Sequence, residues 1–315
     1  MTPAARHHTI HARHCHWHWD RAIEPVLSIA PGDVVQLALG DPGGGQITRD
    51  SRAEDLVALD FARVNPVTGP VHVEGAQPGD AIAVEILSVA PCGWGWSALI
   101  PDFGLLAADF PRPVLEAWDY DASGKTPAAF GDVARVPLKP MIGALGLAPA
   151  AAGRHDILPP RNVGGTMDIR DLAGGARLLL PVEVAGGLLS CGDGHAAQGD
   201  GEVCGTGIET AMTVALRIEV IEDLPLPGPR LSLPGPVTGH LDRAGYDVTT
   251  GIGPDLMAGA RDAVRAMIDL LTAREGMTPE QAYILCSVAA DLRISEIVDA
   301  PNWIVSLYFP RIVFE

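Results

Sequence analysis

"GPVHVEGAQPGDAIAVEILSV", residues 69–89, carries the pattern that decides the fold: a short strand, a Pro-Gly-Asp turn and a second strand. The same pattern occurs in "PVLSIAPGDVVQLALG", residues 25–40. Apolar alternation indicates strands with one buried face, and Pro, Gly and Asp are typical turn residues. We interpret both segments as β-hairpins of a sandwich or barrel, because two copies are too few for a solenoid.

Further strands are expected near residues 133–147, 176–189 and 206–222, and "NWIVSLYFPRIVF" (302–314) predicts a closing strand. The Gly-, Pro- and Trp-rich segment 90–112 predicts a long loop with aromatic anchors.

Helical spacing appears only near the C-terminus. Between residues 253 and 275 the apolar residues that recur at this spacing are Leu256, Met257, Ala260, Val264, Met267, Ile268 and Leu271. A second helix should begin after Thr278 as N-cap, with Pro279 in the first turn and Gln281 completing a capping box. The sequence therefore predicts a mainly β (α+β) fold with a helical pair, and no linker divides the chain.

Composition excludes several classes of protein. The 315 residues are 47% hydrophobic, and 22 basic against 39 acidic residues give a net charge of −17. The chain shows no basic patch, so binding to nucleic acid or to an anionic membrane is not expected. Five cysteines without a CxxC pair favour reduced thiols. With no signal-peptide pattern and no membrane-spanning apolar run, we expect a cytoplasmic protein.

The main candidate site is "LLSCGDGHAAQGDGEVCG", residues 188–205. Asp193 and His195 are two residues apart, so on a strand both side chains project to the same side. The glycines that follow allow a turn that brings Asp200 or Glu202 back to them. Carboxylate and imidazole together suit zinc or another first-row metal. An ordinary Asp-Gly turn and a calcium loop are the alternatives, and a calcium loop leaves the histidine without a role.

A second acidic segment, "LPPRNVGGTMDIRDL" (158–172), places Asp168 shortly after a Gly-Gly turn. It either brings a third carboxylate to the metal or is a loop with an Arg170 salt bridge.

Six histidines lie in the first 20 residues. From residue 14 onward a period of two predicts one strand with His14, His16 and His18 on one face and Cys15, Trp17 and Trp19 on the other.

Several motifs carry a family resemblance. "GGxxD" at 164–168 and "GDGHAAQGDGE" at 192–202 resemble the acetamidase/formamidase family of amide hydrolases, and three more stretches agree in order: "NPVTGPVHVEGAQPGD" (65–80), "GWGWSALIPDFG" (93–104) and "DLRISEIVD" (291–299). The resemblance covers almost the whole chain as one domain, 1–315, with a helical insert at about 253–292. It implies a β-sandwich, jelly-roll-like core and a homodimer or higher oligomer.

The resemblance also implies hydrolysis of a small linear amide, of the formamide or acetamide type, to a carboxylate and ammonia. It implies a bound divalent metal, zinc or else calcium. The family pattern transfers to Asp168, Asp193, His195 and Glu202 as the site, with His16 at a further family position. Thr166 stands where the family has Asn, which shifts the expected substrate.

From these residues we hypothesise a mechanism. The metal would be held by Asp193, His195 and Asp168, with His16 as a further candidate. Glu202 would be the general base, a role that Asp168 or Asp200 could exchange with it. The amides of Gly164 and Gly165 would form an oxyanion hole. The residues expected to contact substrate are Thr166, Trp94, Trp96 and Phe103, the aromatic ones having core packing as the alternative.

Three rival functions are kept open. A larger or cyclic amide, such as a lactam, would fit the same chemistry. A cysteine amidase would use Cys191 or Cys204, activated by His195. A non-enzymatic β-sandwich module would hold structural Ca²⁺ in the acidic loop.

Overall fold

The computed structural model describes residues 5–315, most of whose regular structure is β-strand. In chain order the strands are β1 (His7–Ile10), β2 (Cys15–His16), β3 (His18–Trp19), β4 (Leu27–Ile29), β5 (Val34–Leu39), β6 (Val67–Val73), β7 (Ala81–Pro91), β8 (Trp94–Leu99), β9 (Val114–Asp119), β10 (Ala128–Phe130), β11 (Ala134–Val136), β12 (Met141–Gly146), β13 (His155–Asp156), β14 (Gly164–Thr166), β15 (Arg177–Pro181), β16 (Leu189–His195), β17 (Met212–Ile221), β18 (Arg230–Ser232), β19 (Tyr246–Gly253), β20 (Asp291–Glu296) and β21 (Trp303–Pro310). The two α-helices are α1 (Leu256–Glu275) and α2 (Pro279–Ala289). The predicted mainly β fold with a late helical pair is confirmed.

Two six-stranded sheets form the sandwich. Sheet I has the order β1-β5-β17-β7-β15-β18, and sheet II has the order β14-β12-β16-β6-β2 with β4 also paired to β6. Aliphatic side chains from both sheets meet in one buried core; Leu37, Val84 and Leu216 come from sheet I, and Leu145 and Leu189 from sheet II. This burial of one face of each sheet is the main stabilising contact of the sandwich.

The two Pro-Gly-Asp segments are not hairpins, so that part of the sequence interpretation is wrong. Strands β4 and β6, which precede the turns, lie in sheet II, and strands β5 and β7, which follow them, lie in sheet I. Each turn therefore carries the chain from one sheet to the other. The local turn is the predicted one and is the same in both copies: Asp33 accepts a hydrogen bond from the amide of Ala30 at 3.2 Å, and Asp80 from that of Gln77 at 2.9 Å.

Two further expectations need correction. The predicted strand of residues 14–19 is broken by a bend at Trp17, so that His16 and Trp19 are both buried instead of lying on opposite faces. Their rings pack edge to face at 6.1 Å. The segment 90–112 is not all loop, because Trp94–Leu99 forms β8, which pairs with β9.

The helices pack on a third sheet with the order β19-β21-β20. Asp255 caps α1 by accepting from the amide of Ala258 at 2.7 Å, and Gly276 ends that helix in a left-handed conformation. The predicted Thr278 capping box of α2 is confirmed. Among residues 5–315, no helix is long and apolar enough to cross a membrane.

Candidate active site

Strand β16 ends at the candidate site. Its last residues bring Asp193 and His195 together as their spacing predicts: Oδ1 of Asp193 lies 3.3 Å from Nε2 of His195. Both side chains are almost fully buried, at 2% and 1% exposed. A buried carboxylate and imidazole need partners, because burial without them costs several kcal/mol.

The ring orientation of His195 is fixed by Gln198. The amide nitrogen of Gln198 donates to the carbonyl oxygen of Asp168 at 2.8 Å, so its Oε1 must be the atom that lies 2.8 Å from Nδ1 of His195. Since Oε1 can only accept, Nδ1 carries the proton. The lone pair of a neutral ring is then on Nε2, the nitrogen that faces the carboxylates.

Asp168 and Glu202 join this pair. Donor atoms of Asp168, Asp193 and His195 lie within 4.8 Å of one another, and the same holds for His195, Glu202 and Glu209. Oε1 of Glu202 is 4.0 Å from Nδ1 of His195. Asp200, the other candidate in the turn, is not at the site, because it pairs with Arg170 at 3.5 Å.

Glu209 is a site residue that the sequence analysis missed. Its Oε2 lies 3.1 Å from Nε2 of His195, and its Oε1 accepts from the amide of Gly207 at 2.8 Å. Backbone pairing with Trp96 of β8 and with His195 holds it there. The available signal was a lone acid in the apolar stretch "GIETAMTVAL".

Asn65 was missed as well. Its side-chain amide donates to Oδ2 of Asp193 at 2.8 Å, so both oxygens of that carboxylate are directed by neighbours.

The backbone of the site is strained. Seven non-glycine residues of the described chain have positive φ angles, and four of them are the cluster residues Asn65 (48°), Asp168 (47°), Asp193 (57°) and Glu202 (42°). Left-handed backbone costs about 1–3 kcal/mol at a non-glycine residue and concentrates at functional sites. The fold thus holds these four polar side chains in place against their local preference.

The cluster around His195 contains the carboxyl groups of Asp168, Asp193, Glu202 and Glu209. Four negative charges close together in a buried site are unfavourable. Burial and the charge of Asp193 raise the pKa of Asp168 to about 8. Burial and the charge of Asp168 raise the pKa of Glu202 well above its usual value. Burial lowers the pKa of His195, but the charges of Glu209 and Asp193 outweigh it and hold that pKa well above the ordinary value. Four carboxylates around one imidazole are expected to bind a cation.

The donor set fits a divalent metal. Oδ1 of Asp168 is buried and has no hydrogen-bond partner, although buried polar atoms almost always have one. Together with Nε2 of His195 and the Asp193 carboxylate it offers the mixed nitrogen and oxygen ligands that zinc and related metals bind.

These groups line part of a cavity that is open to solvent and has a volume of about 150 Å³. Trp96, Phe103 and Thr166, three of the four predicted substrate-contacting residues, line the same cavity. The Thr166 hydroxyl is already engaged, since it donates to the carbonyl oxygen of Ile157 at 3.0 Å.

Comparison with known proteins identifies the family of the chain. The family model described as "Acetamidase/Formamidase family" matches residues 3–157 and 150–315, together almost the entire chain. The chain belongs to the acetamidase/formamidase family. It is therefore an amidohydrolase, an enzyme that hydrolyses the C–N bond of an amide.

Individual relatives extend the comparison. A γ-lactamase structure from Delftia acidovorans is 26% identical with a TM-score of 0.88, covering 96% of this chain and 90% of its own. An acetamidase structure from Bacillus halodurans is 31% identical with a TM-score of 0.68, over 96% and 97% of the two chains. A formamidase from Methylophilus methylotrophus is 34% identical over 113 residues, which are 34% of this chain and 27% of that protein.

The structure does not bring every expected residue of the amidohydrolase to the cluster. His16 uses both ring nitrogens elsewhere: Nδ1 donates to the carbonyl oxygen of His18 at 2.7 Å, and Nε2 lies 2.9 Å from Oγ of Ser190. Trp94 is not among the cavity-lining residues, and its ring lies under the guanidinium of Arg49.

The glycine amides do not form an oxyanion hole. The amide of Gly164 donates to the carbonyl oxygen of Arg161 at 2.9 Å, and Gly165 lies opposite Leu145 in the β12–β14 ladder. Neither glycine lines the cavity.

The cysteine alternative is not supported either. Neither Cys191 nor Cys204 lines the cavity, and burial raises the pKa of both thiols, which disfavours the thiolate nucleophile.

Proposed function

We propose that this amidohydrolase is a metal-dependent amidase that converts a small linear amide to a carboxylate and ammonia. The observation that carries the metal dependence is the partnerless, buried Oδ1 of Asp168 beside Asp193 and His195. These three residues would hold the ion, with Glu209 as a fourth ligand because its Oε2 faces the same nitrogen of His195. Zinc suits this mixture of imidazole and carboxylate.

When bound, a divalent metal would polarise the amide carbonyl and ease deprotonation of the attacking water. Glu202 lines the cavity, and its Oε1 lies 4.0 Å from Nδ1 of His195, the ring nitrogen that carries the proton. In this position it takes a proton from water as the oxygen–carbon bond forms. It then gives that proton to the amide nitrogen, so that the C–N bond breaks and ammonia leaves.

Ammonia release from acetamide by chelator-stripped protein, with and without added Zn²⁺, tests the proposal. Activity should be absent without metal and should return with it. Glu202→Gln should lose turnover and keep the metal. If Glu202→Gln also loses the metal, Glu202 is a ligand and the assigned base is wrong, and if the stripped protein is fully active, the proposed metal dependence is wrong.

A cyclic amide is the second candidate. The observation in its favour is the TM-score of 0.88 with the γ-lactamase from Delftia acidovorans, against 0.68 with the acetamidase from Bacillus halodurans. Ring opening of a lactam yields an amino acid and no ammonia, so product analysis with 2-pyrrolidinone separates the two.

A homodimer and a cytoplasmic location remain part of the proposal. Sedimentation of the purified protein tests the assembly.

A further inference from the structure

Much of the cavity lining is apolar. It includes Leu59, Phe61, Trp96, Ile100, Phe103 and Leu158. The ionisable lining residues all belong to the buried cluster around His195, and none of the lining residues described is a lysine or an arginine. The cavity thus combines one buried charged cluster with apolar walls.

Two aromatic rings mark the mouth. Phe61 and Phe103 are 40% and 37% exposed, and their rings pack at 5.6 Å with an interplanar angle of 60°. Phe103 also lies against Gly205, where a Cβ atom would come within 2.5 Å of the ring. Exposed aromatic pairs at the edge of a cavity are a feature of surfaces that bind apolar groups.

Two other apolar lining residues, Trp96 and Ile100, belong to a rigid part of the fold. Trp96 and Ile100 are 4% and 5% exposed, and both belong to a buried apolar cluster. Nε1 of Trp96 donates to Asp41 at 2.8 Å, and the Trp96 and Glu209 backbones exchange hydrogen bonds at 3.0 and 2.8 Å. The apolar wall is therefore held directly beside the carboxylate that faces His195.

Acetamide can cover little of this apolar lining. Its acyl substituent is a single methyl group, which would leave most of the apolar side chains that line the cavity without a contact. An amide group bound at the acids would direct its acyl substituent between the Trp96–Ile100 wall and the Phe61–Phe103 pair.

We propose that the substrate is a neutral primary amide with an apolar acyl group larger than acetyl, such as a branched, cyclic or aromatic carboxamide. This inference rests on the proposed amide hydrolysis and names its substrate class. An acyl group bearing a carboxylate would meet apolar side chains and no cation, so such amides are excluded.

The test compares kcat/KM for acetamide, cyclohexanecarboxamide and the anionic succinamic acid, using zinc-loaded enzyme. Because each methylene group in an apolar pocket is worth about tenfold or more, cyclohexanecarboxamide should exceed acetamide by at least about 100-fold, and succinamic acid should be the poorest. In Phe103→Ala the ratio of cyclohexanecarboxamide to acetamide should fall at least about tenfold. Val57→Ala is the matched control, because this side chain is 71% exposed and does not line the cavity, and it should leave the ratio unchanged.

The failures can be told apart. If acetamide is hydrolysed and the cyclohexane amide is no better, the inference is wrong and the amidase function stands. If no amide is hydrolysed, the proposed function is wrong. Ligand-observed NMR binding of the same amides then still tests whether the cavity prefers an apolar acyl group. Tighter binding of cyclohexanecarboxamide than of acetamide, abolished by Phe103→Ala, would support the inference. Equal binding of the two amides would overturn it.

Discussion

Gly143 leaves the space that Asp168 occupies: a Cβ atom at residue 143 would lie 2.6 Å from Oδ1 of Asp168. The same atom would lie 2.7 Å from Oδ2 of Asp193. Both carboxylates of the proposed metal site therefore depend on the absence of a side chain on the neighbouring strand.

Gly143→Ala should displace one or both carboxylates. We expect zinc affinity and turnover to fall by at least about tenfold, as for other changes that reorient metal ligands. The measurements are zinc competition with a coloured chelator and ammonia release. Gly174→Ala is the control, since no atom lies within 4 Å of a Cβ there, and Gly143→Ala behaving like it would contradict the assignment of these ligands.

Glu209→Gln tests whether Glu209 is a ligand. The amide keeps an oxygen for the Gly207 amide at its present 2.8 Å but removes the charge that faces His195. We expect zinc affinity to fall about 10- to 100-fold, in contrast to Glu202→Gln. Unchanged zinc affinity would show that Glu209 only positions the imidazole.

The sandwich strands and the helical pair were predictable because their signals are local. Hydrophobic alternation and helix-capping residues involve only a few neighbouring positions in the sequence. The predicted capping box of α2 is present in the structure. Pairing was not predictable, because the same Pro-Gly-Asp turn serves a hairpin or a crossing between sheets equally well. Only the distant partners β15 and β17 fix β7 in sheet I.

The site residues also differ in whether a local sequence signal predicts them. Asp193 and His195 meet because they are two residues apart on one strand, a relation that the sequence contains. Glu209 reaches His195 through backbone pairing across strands, and Asn65 reaches Asp193 from 128 residues away. Neither of these two contacts leaves a local pattern in the sequence. His16 was a candidate from its family position alone, and the side chain contacts Ser190, a partner that no local pattern indicates.

A buried ion pair joins the site loop to the third sheet. Arg170, two residues after Asp168, donates to Asp291 at the start of β20, and both side chains are buried. Asp291→Ala should destabilise the protein by about 3 kcal/mol, because the buried guanidinium would keep only its longer contacts to Asp171 and Asp200, at 4.0 and 3.5 Å. Urea unfolding measures the change. Asp119→Ala removes the exposed partner of Arg49 and should cost at most about 1 kcal/mol; equal effects would mean that the buried pair contributes nothing special.

Protonation of His16 is expected to make the stability of the fold depend on pH. Burial lowers its pKa to about 4, so the folded protein holds the ring in its neutral form at pH 7. The unfolded chain, with a histidine pKa of about 6.5, binds this proton first as the pH falls. Folding is therefore favoured above pH 6.5 and loses about 2 kcal/mol from this residue between pH 7 and pH 5. In His16→Gln the difference between urea unfolding free energies at pH 7 and pH 5 should shrink by about that amount, while His14→Gln, at an exposed residue, should behave as wild type. An undiminished pH dependence in His16→Gln would show that another group controls it.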